Sequence, residues 1–404
     1  MRLSATRRSE RRIYLSVPHM GGRELEYVTE AFTTNWLSTV GPNLSALETA
    51  FSALVGLPSV ALSSGTAALH LALRLVGVRP GDEVVVPTLT FVASANPVLY
   101  EGARPVFVDS ESRTWNLDPD RLASFLEARA GGGRLPRAVV VVHLFGQSAN
   151  LDPILDACRR YAIPVIEDAA EALGTWYGGR VPGTMGDVGI YSFNGNKIIT
   201  STSGGMLVSR HDGWAEKARR WSTHAQDPDP AGIGTYVHSE LGFNYRMSNV
   251  LAGIARGQLE VLETRVHERR AVFGRYRDAF ADLPGIEPQP EAAHPAGGPT
   301  RHTRWLSCFL IEGPRFGMRA DELIRFLDSV NIQARPVWKP MHTQPLYREY
   351  EQVGGIVAED LSRHGVCLPS SSSLTDEDQQ FVIDCVRQAS RRGLESRSRR
   401  RHAP

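Results

Sequence analysis

Cysteine is scarce: Cys158, Cys308, Cys367 and Cys385 are the only four in 404 residues, far apart and without a CxxC pair. That spacing gives neither a metal site nor a disulfide framework, so no metal is expected and a reducing, cytoplasmic setting is. An excess of either charge is missing too. Lysine and arginine total 45 against 44 acids, a formal charge of +1, which offers no bulk attraction for nucleic acid or an anionic membrane. No apolar run approaches the roughly 18 residues that span a bilayer, and no apolar segment follows the basic start as a leader would. A soluble, unexported chain is expected.

What is present fits a folded enzyme. Apolar residues make up 42% and charged residues 22%, near the average of soluble domains, and the length requires a large core with at least two lobes. Five arginines fall within 1–12 and six within 391–401. Neither end has the apolar periodicity that would dock it, so 1–12 and 391–404 are expected to be disordered basic tails.

Short Val- and Ile-rich runs recur at Val84 to Val86, Ala138 to Val142, Val165 to Ile166, Val188 to Phe193 and Met206 to Val208. Continuous runs of this kind, separated by helical patterns, predict strands buried on both faces of a mostly parallel sheet. Helical spacing appears over Ser45 to Leu54 and Thr66 to Val76, and a long helical pattern runs from Ser248 to Leu283. A Pro/Gly/Ala-rich loop follows, then a strand in "WLSCFLIEG", a helix over Asp321 to Ser329 and a strand near Ile332 to Val337. The expected plan is α/β: a large sheet domain over 13–260 and a small α/β C-terminal domain over 261–390.

Three constellations carry chemistry. In "ALSSGTAALHLAL" a strand ends at Ser63-Ser64-Gly65-Thr66 and a helix starts at once, leaving free N–H groups and hydroxyls for a phosphate. Alone, this is an ordinary N-cap. In "IPVIEDAAEALG" an apolar strand ends in Glu167 and Asp168 at its carboxyl edge, where open sheets bind ligands. A carboxylate there can pair with a protonated pyridine nitrogen, or simply cap the next helix. In "GDVGIYSFNGNKIITSTSGGMLV" a strand reaches Ser192 and then a Gly/Asn turn holding Lys197. That lysine suits a Schiff base, although a solvated turn lysine explains the segment equally. The order of the three decides: phosphate cradle, ring-nitrogen acid, then lysine some thirty residues later is the order of a fold-type I pyridoxal-phosphate enzyme.

The chain resembles the DegT/DnrJ/EryC1/StrS family of sugar aminotransferases. "LSSGTAALHLAL", "GDEVVVPTLTFVASANPVLYEGARPVFVD", "VVHLFGQSANLD", "VIEDAAEALGT", "GDVGIYSFNGNKIIT", "GFNYRMSNVLAGIARGQLE" and "ARPVWKPMHTQPLY" carry the likeness over nearly all of 13–386. It implies a pyridoxal-phosphate-dependent transferase of fold type I, aspartate aminotransferase-like, with a large mixed, mostly parallel sheet and a small C-terminal domain. It implies pyridoxal 5′-phosphate carried by Lys197, which also moves the proton, with Asp168 on the pyridine nitrogen. Gly65, Thr66 and Ser192 would hold the phosphate, and Phe91 would stack on the ring. Asn244 would reach the phosphate of a neighbouring subunit, making a homodimer with shared sites. The opening "IYLSVPHMGGRE" and the motif "SFNGNK" look most like the branch acting on UDP-linked 4-keto-6-deoxy-N-acetylhexosamines, with glutamate as amino donor.

Several positions depart from the commonest pattern. Glu171 stands where many relatives carry Gln or His near the cofactor's phenolic oxygen. "NWLSTVGP" has Ser38-Thr39 in place of Ala-Pro, and Ser203 replaces a usual Gly. Trp36, Ser38, Arg335, Trp338, Lys339 and His342 are candidate substrate residues, the basic ones for an anionic nucleotide sugar. His143 is either a pocket residue or a satisfied core histidine. Lys197 argues against a dehydratase, whose lysine is replaced by His. No cysteine sits in a Gly-rich loop as a desulfurase would need, and a non-catalytic regulator would call for a DNA-binding module or a degraded lysine site.

Overall fold

Val-rich runs with no polar interruption bury both faces when they form strands, and they do so here. The computed structural model of the chain describes residues 11–229 and 232–401, without the side chains of 396–401. In chain order the strands are β1 (Ser59–Leu62), β2 (Glu83–Pro87), β3 (Arg104–Val108), β4 (Ala138–Val142), β5 (Val165–Asp168), β6 (Val188–Ser192), β7 (Gly205–Ser209), β8 (Ile286–Pro288), β9 (Ser307–Ile311), β10 (Arg335–Pro336), β11 (Gln352–Val353) and β12 (Gly365–Leu368). The large sheet has the order β1-β7-β6-β5-β4-β2-β3-β11, and β10-β12-β9-β8 form a second, smaller sheet.

In the large sheet only β7 runs against its neighbours, so the sheet is mixed and mostly parallel. From β2 the chain steps outward to β3, then returns to β4 on the other flank of β2 and continues through β5 and β6. The carboxyl edge beside that reversal is where an open sheet leaves a crevice. The helix Gly65–Leu75 lies beneath it, capped by Ser64 Oγ, which accepts from Ala67 N at 3.0 Å. Leu69, Leu71 and Leu73 of that helix are buried against the sheet, each stabilising by about 1.5–3 kcal/mol.

The long helical pattern is two helices, Asn249–Glu260 and Leu262–Phe280. Val261, at φ −108° and ψ 9°, ends one and starts the next, its carbonyl accepting from Arg265 N at 3.0 Å. In the small sheet, Phe309 and Ile311 alternate with Cys308. They pack with Val366 and Leu368 onto Val272, Phe273 and Tyr276 of the second long helix.

Four features differ from the sequence reading. The run "RPVFV", not among the expected strands, is β3, a full partner of β2. The strand expected over Ile332 to Val337 shrinks to β10, since Pro336 has no N–H to give a ladder and is tolerated at an edge. Chain order does not respect the domain plan: Ile13 bridges Ile332, and β11 returns to the large sheet beside β3. Finally, 391–401 is no tail but the end of the helix Asp376–Arg401, held by close packing of Gly393 on Gly317 and by Ser390 Oγ donating to Phe316 O at 2.8 Å. Of the other expected tail, Arg11 and Arg12 pair with Asp378 and Asp328; residues 1–10 and 402–404 lie outside the described residues. Among the described residues no helix is long and apolar enough to cross a membrane.

Candidate active site

Two adjoining cavities open at the carboxyl edge of the large sheet, one of about 290 Å³ and one of about 890 Å³. The smaller holds Gly65, Thr66, Phe91, Asp168, Glu171, Ser192 and Lys197 together. Its cradle is the start of the Gly65–Leu75 helix, where the N–H groups of the first turn have no carbonyl to meet. Two glycines make the approach close enough. A Cβ on Gly65 would stand 3.0 Å from Ser192 Cβ, and one on Gly205 would stand 2.5 Å from Gly65 N. Ser203, where a further glycine is usual, donates to Ser63 O at 2.7 Å and so ties the two loops together. Gly205→Ala is therefore expected to push the helix start out of place, costing about 1–3 kcal/mol of stability and weakening cofactor uptake at least about tenfold. Absorbance titration of the apoenzyme checks it.

Side chains alternate along a strand, and this separates the two acids that end β5. Asp168 faces the cavity, 6% exposed. Its Oδ2 accepts from Ser94 Oγ at 2.7 Å, and Ser94 Oγ is 2.8 Å from Thr90 Oγ1. Its Oδ1 accepts from Ala170 N at 3.1 Å. Glu167 faces the other way and closes a turn, accepting from the N–H groups of Gly183, Met185 and Gly186. Burial alone would raise its pKa, but the hydrogen bond from His143 and these N–H groups hold it below the ordinary range. His143 Nδ1 accepts from Ala149 N, so its proton sits on Nε2, which donates to Glu167 at 2.9 Å. His143 is thus a satisfied core histidine.

Lys197 follows β6 on the turn Asn194 to Lys197, closed by Lys197 N donating to Asn194 O at 2.9 Å. Its ammonium lies 4.3 Å from the centre of the Trp305 ring and 3.6 Å from Glu171 Oε1, with the side chain 13% exposed. The carbonyls behind it are gripped from outside the large sheet. Asn196 O accepts from Trp305 Nε1 at 2.7 Å and Ser16 Oγ at 2.8 Å. The buried guanidinium of Arg269 donates to Trp305 O at 2.6 Å and lies 3.5 Å from Lys197 O. Ser16, Ser94, Arg269 and Trp305 were not singled out from the sequence. Each works through a partner distant in the chain, and no local pattern marks it.

Glu171 Oε2 accepts from Phe145 N at 2.8 Å, a geometry set by the left-handed backbone of Phe145, φ +55°. Burial raises the Glu171 pKa above the carboxylate range, and the pull of Lys197 only partly offsets this. A carboxyl whose folded pKa is raised is favoured folded while protonated, so its contribution is present at low pH and lost as pH rises through the folded value. Glu171→Gln should therefore gain thermal stability over the wild-type apoprotein progressively from about pH 4.5 upward. Paired melting curves across that range test this, and a constant difference would refute it.

Trp338 stands between the cavities, 5.1 Å from the Phe91 ring and 6.0 Å from the Phe145 ring, with Phe91 48% exposed at the junction. The larger cleft carries Arg335 and Lys339 on its wall. Four expected site residues lie outside both cavities. His342 is buried instead between Thr88 Oγ1 at 2.6 Å and Glu359 Oε1 at 3.2 Å, and it braces the β2 end rather than the pocket. Trp36 and Ser38 are exposed, their carbonyls pinned by Asn249. Asn244 is exposed where its backbone bridges Thr223.

The cavity fits pyridoxal phosphate. The helix start and Ser192 would hold the phosphate, the Asp168 carboxylate would meet the pyridine nitrogen, and Lys197 would supply the amine. Residues 18–387 match the DegT/DnrJ/EryC1/StrS aminotransferase family. EpsN of Bacillus subtilis, a proposed pyridoxal phosphate-dependent aminotransferase, is 47% identical over 93% of this chain and 95% of its own length. The GDP-perosamine synthase of Caulobacter vibrioides is 39% identical over 93% of this chain and 98% of its own. The aminotransferase TlmJ from Streptoalloteichus hindustanus superposes with a TM-score of 0.84 at 31% identity, covering 96% of this chain and 100% of TlmJ. The chain belongs to the DegT/DnrJ/EryC1/StrS aminotransferase family, and it is a pyridoxal-phosphate-dependent sugar aminotransferase of fold type I.

Proposed function

We propose that the protein transfers an amino group from glutamate to the ketone of a nucleotide-linked 4-keto-6-deoxy sugar, a UDP-N-acetylhexosamine derivative, in polysaccharide or glycan biosynthesis. The observation that carries this is the 890 Å³ cleft opening onto the Lys197 cavity. It is too large for an amino acid alone, and its wall bears two cations. Arg335 can take a diphosphate with a bidentate guanidinium and Lys339 with a point charge, while Trp338 offers an apolar face to a sugar or base.

Bound pyridoxal phosphate supplies an electron sink that loosens the α-hydrogen of an amino acid. Lys197 Nζ would take that proton and pass it on, a transfer worth about 10²–10⁴ in rate when one positioned amine performs it. The Asp168 carboxylate would hold a proton on the ring nitrogen. Phe91 and Trp338 line both cavities at their junction, where the sugar would pass toward Lys197. With the keto sugar in the cleft, Nζ moves the proton in the opposite sense, and ping-pong kinetics result.

Trp36, Ser38 and Asn244 line neither of the two cavities, so the reading includes a homodimer in which a second copy presents Asn244 to the phosphate. The exposed apolar residues Ile233, Tyr236, Val237 and Leu241 nearby support it. A GDP-linked sugar is the second reading, favoured by the likeness to GDP-perosamine synthase. The test is incubation with glutamate and a panel of UDP-, GDP- and dTDP-linked keto sugars, with mass spectrometry of the products. An amino sugar from the UDP series is expected. Product from simple keto acids or aldehydes, and none from any nucleotide sugar, overturns the substrate class.

A further inference from the structure

Two thiols that amino transfer leaves unused lie beside the large cleft, one of them in its wall. Cys308 on β9 and Cys367 on β12 are directly opposite in the antiparallel register, with their sulfurs 3.5 Å apart. The ladder shows which kind of pair this is. Cys308 O accepts from Gln289 N, beyond β8, and Gly365 O, two residues before Cys367, accepts from Val337 N beyond β10. In an antiparallel sheet a residue turns its N–H and C=O to the same side, and i and i+2 share that side. Both cysteines therefore direct their backbone groups away from each other. They form a non-hydrogen-bonded pair, whose Cα atoms lie about 4.5 Å apart, inside the roughly 4.4–6.8 Å that a disulfide spans.

Their face of the sheet matters as well. Phe309 and Val366, their neighbours in sequence, point into the small-domain core. Cys308 and Cys367 point the other way, toward Trp305, Leu306 and Val337, and Cys367 lines the cleft itself. The remaining thiols have no such partner. Cys158 and Cys385 lie apart in other parts of the core.

We propose that Cys308 and Cys367 are a redox modification site, closed to a cross-strand disulfide by hydrogen peroxide that enters through the substrate cleft. The sulfur of Cys367, on the cleft side, attacks one peroxide oxygen. An S–O bond forms, the O–O bond breaks, and the departing hydroxide takes the thiol proton to become water. The sulfur of Cys308 then displaces the second oxygen. The S–S bond forms, the S–O bond breaks, and the Cys308 proton completes a second water. Two thiols lose two electrons, and one peroxide is reduced. Closure draws the sulfurs from 3.5 Å to about 2.05 Å. Cys367 pairs on its other side with Arg335 of β10, so the shift moves the very wall that the proposed function assigns to the diphosphate. A disulfide of this kind in a reducing compartment is transient.

The test uses the full-length enzyme treated with hydrogen peroxide, quenched, denatured and titrated for thiols. The expected result is loss of two of the four thiols, an intact mass lower by two hydrogens, a linked peptide pair containing 308 and 367, and recovery of all four with dithiothreitol. Cys158→Ser should still form the link. Cys308→Ser and, as a second variant should that one fold poorly, Cys367→Ala should not. Where the proposed turnover is measured, the oxidised enzyme should lose at least about tenfold in kcat/KM, as a displacement of about 1 Å can cause, and regain it on reduction. Four thiols surviving the treatment, or a bond involving Cys158 or Cys385, overturns the proposal. The thiol count decides it whether or not a nucleotide sugar is turned over, so failure of the substrate reading and failure of the disulfide are separate results.

Discussion

Lys197→Ala should abolish amino transfer and the yellow colour of the cofactor-loaded protein together. The rate loss expected is at least about 10⁴-fold, because both the covalent anchor and the proton carrier leave with one side chain. Lys197→Arg should rescue neither. A guanidinium keeps the charge beside Glu171 and Trp305 but cannot become a neutral amine at working pH. The fold should survive both changes. The lysine head group contributes an ion pair at 3.6 Å and a ring contact, and the carbonyl contacts that hold the loop belong to the backbone. Visible absorption, melting temperature and turnover measured on the same preparations separate these effects. A colourless wild type after reconstitution with pyridoxal phosphate, or a variant that keeps its turnover, would falsify the assignment.

The second large effect is expected at Asp168. Asp168→Asn preserves shape and still offers one oxygen to the Ser94 hydroxyl or to Ala170 N, so the protein should fold and take up cofactor. It removes the charge that would hold a proton on the ring nitrogen. Losing one member of a buried charged pair costs about 4 kcal/mol, equivalent to about 10³-fold in kcat. Ser94→Ala should be milder, about tenfold, since it deletes only one hydrogen bond to the carboxylate. The ordering Asp168→Asn far below Ser94→Ala, with similar melting temperatures, is the diagnostic result. Equal losses in the two variants would mean that the carboxylate serves only as a hydrogen-bond acceptor.

How much of this was legible beforehand differs by feature. Each buried strand of the parallel core was written as a Val-rich run, because a strand covered on both faces has no polar position to spare. That Gly65, Thr66, Asp168 and Lys197 come to one cavity was legible as well. Each ends or follows a strand at the same edge, so their order in the chain maps onto their order around one cavity. β3 was not among the expected strands, and Pro336 shortened a strand that the apolar pattern had extended. The basic carboxyl end read as a tail because its arginines mask a helix whose packing rests on one glycine, Gly393, against another, Gly317.

The substrate side was far less legible. His342 sits in a motif rich in cations, yet it turns to Thr88 and Glu359, whereas Arg335 and Lys339 of the same motif reach the cleft. Which way a side chain faces in irregular backbone has no period to read. Thus the sequence alone determined the mostly parallel sheet and the cofactor chemistry, and it brought forward three residues for that chemistry, through local patterns that strand burial and helix capping enforce. The tertiary structure alone decided which distant groups grip them: Ser94 on Asp168, Trp305, Ser16 and Arg269 around Lys197, and Cys308 against Cys367. Those pairings depend on where separate strands and two domains come to lie, and contacts across such sequence separations leave no mark in any one segment.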